Sequence, residues 1–480
     1  MRNNLKKDEE NTYRRSYGIH LTSKDIFLKY IFPEIQSKLW NFKWIDLYAG
    51  EGNLILPILN SISPEKRAQF FKEHIYLSDI QSDMIKKGIH NAEKYGVPSK
   101  IAKMNIQLRN NLESFPVFLN GAQFPLFQIT NPPYLYLGYI RKHRETQKYL
   151  ELFKDKNEGY QDLYQIAMIN DLRNGIENLI YIIPSNFLYG ASVSNKFRKD
   201  FLEYYKITKM IIFETKIFEF TGTNICIGFF KRKEAPKAER VEFEGIKIKK
   251  ENKIIEKNYI LAPDFKYRAG YEFNEFLKKY HVQNHLKINY YLLKEDILSN
   301  KGNFEINVID ANNYQNNAYK KISLYTKKQL KKKVESNILY VRTVDTGTYK
   351  GRVGLGIISE DFGVEGIYVS GNTYRTHPIQ VFIKPAINKD DQRLLKYYFN
   401  FVLEIFRKKL DSEFLTTYKY SNAEYTRKYL GLTQVRKIIE TFSGALRHKI
   451  DCVVVQKRAF SLTAAFSEVH GIRSVIITIV

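Results

Sequence analysis

The chain has 480 residues, 44% of them hydrophobic, and a formal net charge of +25. That length accommodates two or three domains with a sizeable core, and no run of about 18 apolar residues is present to span a membrane. Two cysteines, Cys226 and Cys452, exclude a disulfide scaffold or a cysteine-rich zinc site and suit a reducing cytoplasm.

The opening stretch MRNNLKKDEENTYRR is polar and has no apolar signal core, so a cytoplasmic protein is expected. Beyond it, KWIDLYAGEGNL (43–54) is an apolar run closed by a glycine turn. EHIYLSDIQSDMIKKGIHNAEKYG (73–96) predicts a short strand, a polar turn and a helix. KIAKMNIQ (100–107) and FPLFQIT (124–130) predict two further strands. YQDLYQIAMINDLRNG (160–175) places Leu163, Ile166, Ala167 and Leu172 at helical spacing, with Gly175 as the C-terminal cap. LIYIIP (179–184), KMIIFE (209–214) and NICIGFFKR (224–232) are dense strand-type runs. Strands alternating with helices predict an α/β domain with a largely parallel sheet. The charged stretch KRKEAPKAER (231–240), with Pro236, suggests a boundary, giving domains 1–238 and 239–480. The second half has lysine clusters, aromatics and turn signals, which predicts a mixed α+β domain.

Charge is spread over both parts. Up to residue 235 there are 34 Lys+Arg against 25 Asp+Glu, and beyond it 42 against 26. The surplus fits a polyanion such as nucleic acid, and equally the lysine-rich usage of an AT-rich genome.

Three strand ends carry candidate chemistry. In Asp46-Leu47-Tyr48-Ala49-Gly50-Glu51-Gly52, the glycines sit where a strand turns into a helix, which lets a ligand approach the backbone. Asp46 is placed to take a ligand amino group or a water. Alone, the turn also fits an ordinary tight turn. Asp79 closes the next strand, where an acidic side chain holds ribose hydroxyls or caps a helix. The third end is Asn131-Pro132-Pro133-Tyr134. Two prolines stop the ladder and freeze the corner. The Asn131 side-chain carbonyl and the Pro132 backbone carbonyl then form a fixed pair of acceptors for an –NH2 group, and Tyr134 offers a flat face for stacking. Such a corner suits the exocyclic amine of a planar base, whose nitrogen lone pair is left free to attack.

With these motifs in this order, the chain resembles the S-adenosylmethionine-dependent N6-adenine DNA methyltransferases of restriction–modification systems. DLYAGEGN precedes NPPY and a large variable region follows, the order of the gamma group. DLYAGEGN is similar to that family's Asp-Pro-x-x-Gly-x-Gly-Asn, with Leu47 in place of proline, and NPPY matches unchanged. SYGIHLTSKDIF (16–27) resembles the motif that contacts the methionine moiety, with Thr22 kept and Ser23 where proline is common.

The resemblance covers roughly residues 13–235 and implies a Rossmann-like catalytic domain. It also implies S-adenosylmethionine as cofactor, bound by Thr22, Asp46, Ala49, Gly50, Gly52, Asp79, Ile80 and Asn111, with no metal. Asn131, Pro132 and Tyr134 would be catalytic. Phe218, with Phe220 as second choice, would pack on a flipped base, although core packing accounts for either phenylalanine as well. The implied reaction is methylation of the adenine N6 amine in duplex DNA after base flipping. A separately encoded restriction endonuclease is the implied further partner, and a bacterial cytoplasm the implied setting.

In the second half, a target-recognition domain is expected. YKKISLYTKKQLKKKVE (319–335) supplies Lys327, Lys328, Lys331 and Lys332 for phosphates, or forms a solvated lysine face. YVRTVDTGTYKGRVG (340–354) supplies Arg342, Lys350 and Arg352 as base or backbone contacts. The tail 448–480 has no functional reading beyond a closing strand.

Neither cysteine follows a proline, so ring-carbon methylation of cytosine is disfavoured. RNA adenine, cytosine-amine and protein-glutamine methylation remain as alternatives, as does a binding protein on an inactive methyltransferase fold. Neither a nuclease signature nor a helicase P-loop is found, which predicts a stand-alone modification enzyme.

Overall fold

The computed structural model describes residues 22–218, 224–345, 351–420 and 426–442. Residues 16–21 of the methionine-contacting motif, Phe220, Lys350, Cys452 and the tail 448–480 lie outside them. Two compact units result: Met1–Tyr271 with Thr417–Thr426, and Glu272–Thr416 with Arg427–Val480.

The first unit is built on a nine-stranded sheet. Its strands are β1 (Lys43–Asp46), β2 (Ile75–Asp79), β3 (Ile106–Leu108), β4 (Leu126–Thr130), β5 (Asn178–Pro184), β6 (Tyr205–Phe213), β7 (Ile225–Arg232), β8 (Val241–Ile248) and β9 (Ile254–Leu261). Their order is β3-β2-β1-β4-β5-β7-β6-β8-β9. The β3-to-β5 half is parallel throughout, and β7 enters antiparallel between β5 and β6. Strand β2 is buried along its whole length and β5 nearly so, which is why both read as near-continuous apolar runs. Helices α1 (Pro64–His74), α2 (Ser82–Lys94) and α3 (Leu163–Arg173) accompany the sheet. Helix α2 buries one stripe, Ile85, Gly88 and Ala92. Helix α3 is buried nearly all round from Leu163 to Ile169, and its C-cap is Asn174 rather than the expected Gly175, which follows it with φ +74°.

The chain lays down β1, β2 and β3 in one direction, then returns to place β4 on the other side of β1. In such sheets the crevice beyond the carboxyl ends of the strands at this reversal is where ligands bind. Asp46, Asp79 and Asn131 stand at or just after the ends of β1, β2 and β4.

Two expectations change. Residues 99–105 are helical, Ser99–Asn105, and leave only the three-residue β3. The expected boundary at 238/239 falls inside the first unit, because β8 pairs in parallel with β6 and β9 follows it. The linker-like stretch 231–240 is the end of β7 and a charged loop, and composition does not reveal that its far end re-enters the same sheet.

The second unit is α+β. One four-stranded sheet has β10 (Lys287–Tyr290), β17 (Ile379–Lys384), β14 (Leu339–Arg342) and β15 (Gly354–Ile357) in that order. The other has β11 (Leu292–Leu293), β16 (Gly366–Val369), β12 (Lys301–Gln315) and β13 (Ala318–Thr326). Helix α4 (Lys328–Ser336) buries Leu330 and Val334. The long α5 (Lys389–Leu410) shares a core with the first sheet through Leu395, Phe399 and Leu403. Among the described residues no helix is long and apolar enough to cross a membrane.

Candidate active site

Asp46 closes β1 and is 1% exposed. Its Oδ1 accepts from the Tyr48 amide at 3.0 Å and from the Thr130 hydroxyl at the end of β4. Its Oδ2 is buried with no hydrogen-bond partner among the described residues. Burial pushes the carboxyl up to about 7, against the pull of the Thr130 and Tyr48 hydrogen bonds, and Asp79 and Asp171 add a smaller upward push. An orphaned acceptor at this depth favours a cationic or proton-donating ligand group.

The turn after Asp46 is shaped by glycine. Gly50 and Gly52 have φ +53° and +82°, a region that side chains beyond glycine rarely enter. A Cβ on Gly52 would also meet Leu56 Cδ1 at 2.6 Å. Gly52 therefore serves the turn, while Gly50 faces the crevice. The Gly50 amide donates to Asp79 Oδ2 at 2.9 Å and the Gln81 amide to Asp79 Oδ1 at 2.9 Å. The Ala49 amide donates to the Ser78 carbonyl. Asp79 thus ties the end of β2 to the turn after β1. It is not the cap of α2, whose N-cap is Gln81. Burial raises the Asp79 carboxyl, and the amides of Gln81, Gly50 and Ile80 work against it. Each carboxylate oxygen keeps a further lone pair.

At the end of β4, Asn131 Nδ2 donates to Thr22 Oγ1 at 2.9 Å, and the Tyr134 hydroxyl contacts Asn131 Oδ1 and the Ile182 carbonyl. The amide is thereby held by Thr22 on one side and Tyr134 on the other. Tyr134 is 8% exposed and its ring packs edge-on to Tyr164. In this arrangement it supports Asn131 with its hydroxyl and presents little of its ring for stacking. Downstream, Asp162 stands at the N-cap position of α3, and its Oδ1 accepts from the Leu135 amide at 2.9 Å, clasping the chain just after the corner.

These strand ends line one cavity that opens to solvent. Of the residues singled out by sequence, Thr22, Asp46, Ala49, Gly50, Asp79, Ile80, Asn111 and Asn131 line it, together with Pro133. Gly52, Pro132, Tyr134 and Phe218 do not line it. Phe218 is a core residue, 6% exposed. Asn111 is 3% exposed, and its Nδ2 donates to the Leu47 carbonyl and Ser78 Oγ, so both amide hydrogens bind the protein itself. Ile80 is 47% exposed, an apolar side chain left open at the cavity. Sequence reasoning did not single out Tyr48, Gln81, Met84, Arg109, Leu112, Tyr149 or Leu163, which also form the wall. Tyr48 and Gln81 are sequence neighbours of the chosen motifs and were within reach. Tyr149 arrives from the 3-10 helix Arg144–Phe153, with no local signal.

In the second unit, Lys327, Lys328 and Lys332 are exposed around α4. Lys331 is committed elsewhere: its Nζ donates to the Glu305 carbonyl at 2.8 Å and lies 3.5 Å from Glu335. Arg342 donates to the Tyr340 hydroxyl at 3.2 Å, and Arg352 pairs with Glu404 at 3.5 Å. Among the described residues no cluster of His, Cys, Asp or Glu is arranged to hold a metal ion.

No curated protein matches the chain as a relative. Among solved structures, the type IIL restriction-modification enzyme MmeI in complex with DNA is similar at 12% identity and TM-score 0.46, covering 80% of this chain and 64% of that one. A modification subunit assigned to a type I restriction enzyme of Vibrio vulnificus is similar at 14% identity and TM-score 0.36, covering 73% and 62%. The M protein of the type I restriction enzyme EcoKI is similar at 13% identity and TM-score 0.35, covering 48% and 49%. The chain thus spans less than two thirds of the length of each of these structures, and at such scores the likenesses add nothing to the assignment. The segment from residue 68 to 218, which holds Asp79, the Asn131 corner and Asp162, matches the family model described as Eco57I restriction-modification methylase.

Proposed function

We propose that the chain methylates the N6 amine of an adenine flipped out of duplex DNA, with S-adenosylmethionine as the methyl donor and the second unit reading the target sequence. The observation that supports this best is the placing of Asn131, at the end of β4, on the wall of the same cavity as Asp46, Gly50 and Asp79.

The cavity fits the cofactor. Asp46 Oδ2, buried and without a hydrogen-bond partner, suits the ammonium of the methionine part. Asp79 keeps lone pairs for ribose hydroxyls, Gly50 allows close approach of a ligand, and the open side chain of Ile80 suits a flat ring. When bound, S-adenosylmethionine supplies an electrophilic methyl group on sulfonium sulfur.

The chain's own residues prepare the amine. Asn131 Oδ1 and the Pro132 carbonyl accept its two hydrogens, which leaves the nitrogen lone pair directed away from the corner. Thr22 and Tyr134 keep the Asn131 carbonyl from rotating out of that role. A fixed acceptor of this kind needs no reorganisation as positive charge develops on the nitrogen. The exposed lysines around α4 are suited to phosphates, and a separately encoded endonuclease would complete a restriction–modification pair.

The test is transfer of tritiated methyl from S-adenosylmethionine to bacterial genomic DNA by the full chain, followed by nucleoside analysis. N6-methyladenine is expected from the wild type, and Asn131→Ala is expected to lose most of it while binding S-adenosylmethionine unchanged. Label on the amine of cytosine, in RNA or on protein glutamine instead would reassign the substrate.

A further inference from the structure

The segment that follows the Asn131 corner leaves the site at Leu135 and returns to it at Tyr149. At its start, the Leu135 amide is held by Asp162. At its end, Tyr149 lines the same cavity as Asn131 and Pro133. Between them the segment is anchored from inside: Leu137, Ile140 and Thr146 are buried. The Thr146 hydroxyl lies 2.8 Å from the His143 carbonyl and 3.3 Å from that of Ile140. The segment, called the rim below, therefore has a defined course that starts just after Pro133 and ends at Tyr149, two residues of the cavity wall.

What the rim exposes is strongly basic. Arg141, Lys142 and Arg144 are exposed, as is Tyr136 at 47%. The single carboxylate within the segment, Glu145, lies 3.6 Å from His143 Nδ1. Among the described residues, Arg141, Lys142 and Arg144 form no ion pair. Unpaired cations on a segment whose two ends meet the cavity wall are suited to an anion that arrives with the substrate. A base seated at Asn131 remains joined through its sugar to a phosphate on each side, and those phosphates have to pass along whatever borders the cavity.

We propose that Arg141, Lys142 and Arg144 grip the phosphates flanking the nucleotide whose base is held at Asn131. The inference rests on the reading of the site as a DNA methyltransferase and deepens it, by placing part of the DNA-binding surface on the first unit. It is a backbone contact, so it would position the strand without selecting sequence.

The experiment compares the full chain with a triple variant, Arg141→Gln, Lys142→Gln and Arg144→Gln. A control removes as many charges from exposed positions on α1 and α2: Lys66→Gln, Lys72→Gln and Lys86→Gln. The probe is a 30-base-pair duplex of mixed sequence, followed by fluorescence anisotropy across a salt series. The rim variant is expected to lower the log–log salt slope by roughly two to three, raise KM for DNA and leave the Kd for S-adenosylmethionine unchanged, while the control keeps the wild-type slope. If the rim and control variants shift the slope equally, net charge and not the rim is responsible, and the proposal is overturned. A wild type that methylates DNA together with a rim variant of unchanged slope overturns this inference alone. A wild type that transfers no methyl to DNA overturns the reading of the site and this inference with it.

Discussion

The Asp79 carboxylate accepts the Gly50 amide at 2.9 Å, and this one bond joins the end of β2 to the glycine turn that follows β1. The same carboxylate holds the Gln81 amide with its other oxygen. Its two jobs, holding the turn and meeting a ligand hydroxyl pair, share one group. Asp79→Ala removes both, and the loss of hydrogen bonds to a charged acceptor corresponds to about 1–3 kcal/mol. S-adenosylmethionine should bind about one to two orders of magnitude more weakly by calorimetric titration. Asp79→Asn, which keeps one acceptor, should fall between the two. An unchanged Kd for a folded Asp79→Ala protein would mean that the carboxylate only ties the strands together.

Asp46 makes a prediction about pH. Burial raises its carboxyl to about 7 in the ligand-free protein, so near neutral pH a large share of molecules carry it as the neutral acid. A cationic ligand group needs the carboxylate, so affinity for S-adenosylmethionine should fall as pH drops below about 7 and the fall should vanish in Asp46→Asn. The stability sign is opposite. A folded pKa above the unfolded value means that the contribution is fully present below the unfolded pKa and is lost as pH rises through about 7. The thermal midpoint of ligand-free Asp46→Asn, relative to wild type, should therefore rise between about pH 4 and 7 and level off above. A difference that stays constant across that range would show that Asp46 ionises as an ordinary carboxylate.

The first unit was legible because its strands announce themselves and because open α/β sheets put ligands at strand ends. Asp46, Gly50, Asp79 and Asn131 could be chosen from a linear sequence for that reason alone, and the fold brings them to one cavity. What was hidden depends on long-range pairing. Nothing local shows that Tyr149 folds back to the cavity, that Asp162 clasps Leu135, or that β8 rejoins β6. Cation counting has the same blind spot. Lys331, Arg342 and Arg352 read as free charges in sequence, yet their partners Glu305, Tyr340 and Glu404 are specified only by tertiary packing. Asn111 lines the cavity, but its Nδ2 is held by the Leu47 carbonyl and Ser78 Oγ, acceptors that only the fold brings to it.

Tyr134 separates two accounts of the corner. Its ring is nearly buried, and its hydroxyl contacts Asn131 Oδ1 and the Ile182 carbonyl. Burial holds the hydroxyl far above the usual tyrosine range, so it stays protonated and available as a donor at any working pH. If it acts by orienting the Asn131 carbonyl, Tyr134→Phe removes that function while keeping the ring. Turnover should then fall by about ten- to a hundredfold, the equivalent of one lost hydrogen bond in a buried site. S-adenosylmethionine binding should stay the same, and Tyr134→Ala should be little worse than Tyr134→Phe. If the ring instead swings out to stack on the flipped base, Tyr134→Phe should turn over like wild type and Tyr134→Ala alone should fail. Single-turnover methylation of DNA by the two variants, with cofactor affinity measured alongside, decides between them. Wild-type turnover by Tyr134→Phe would sink the orienting role drawn from this geometry.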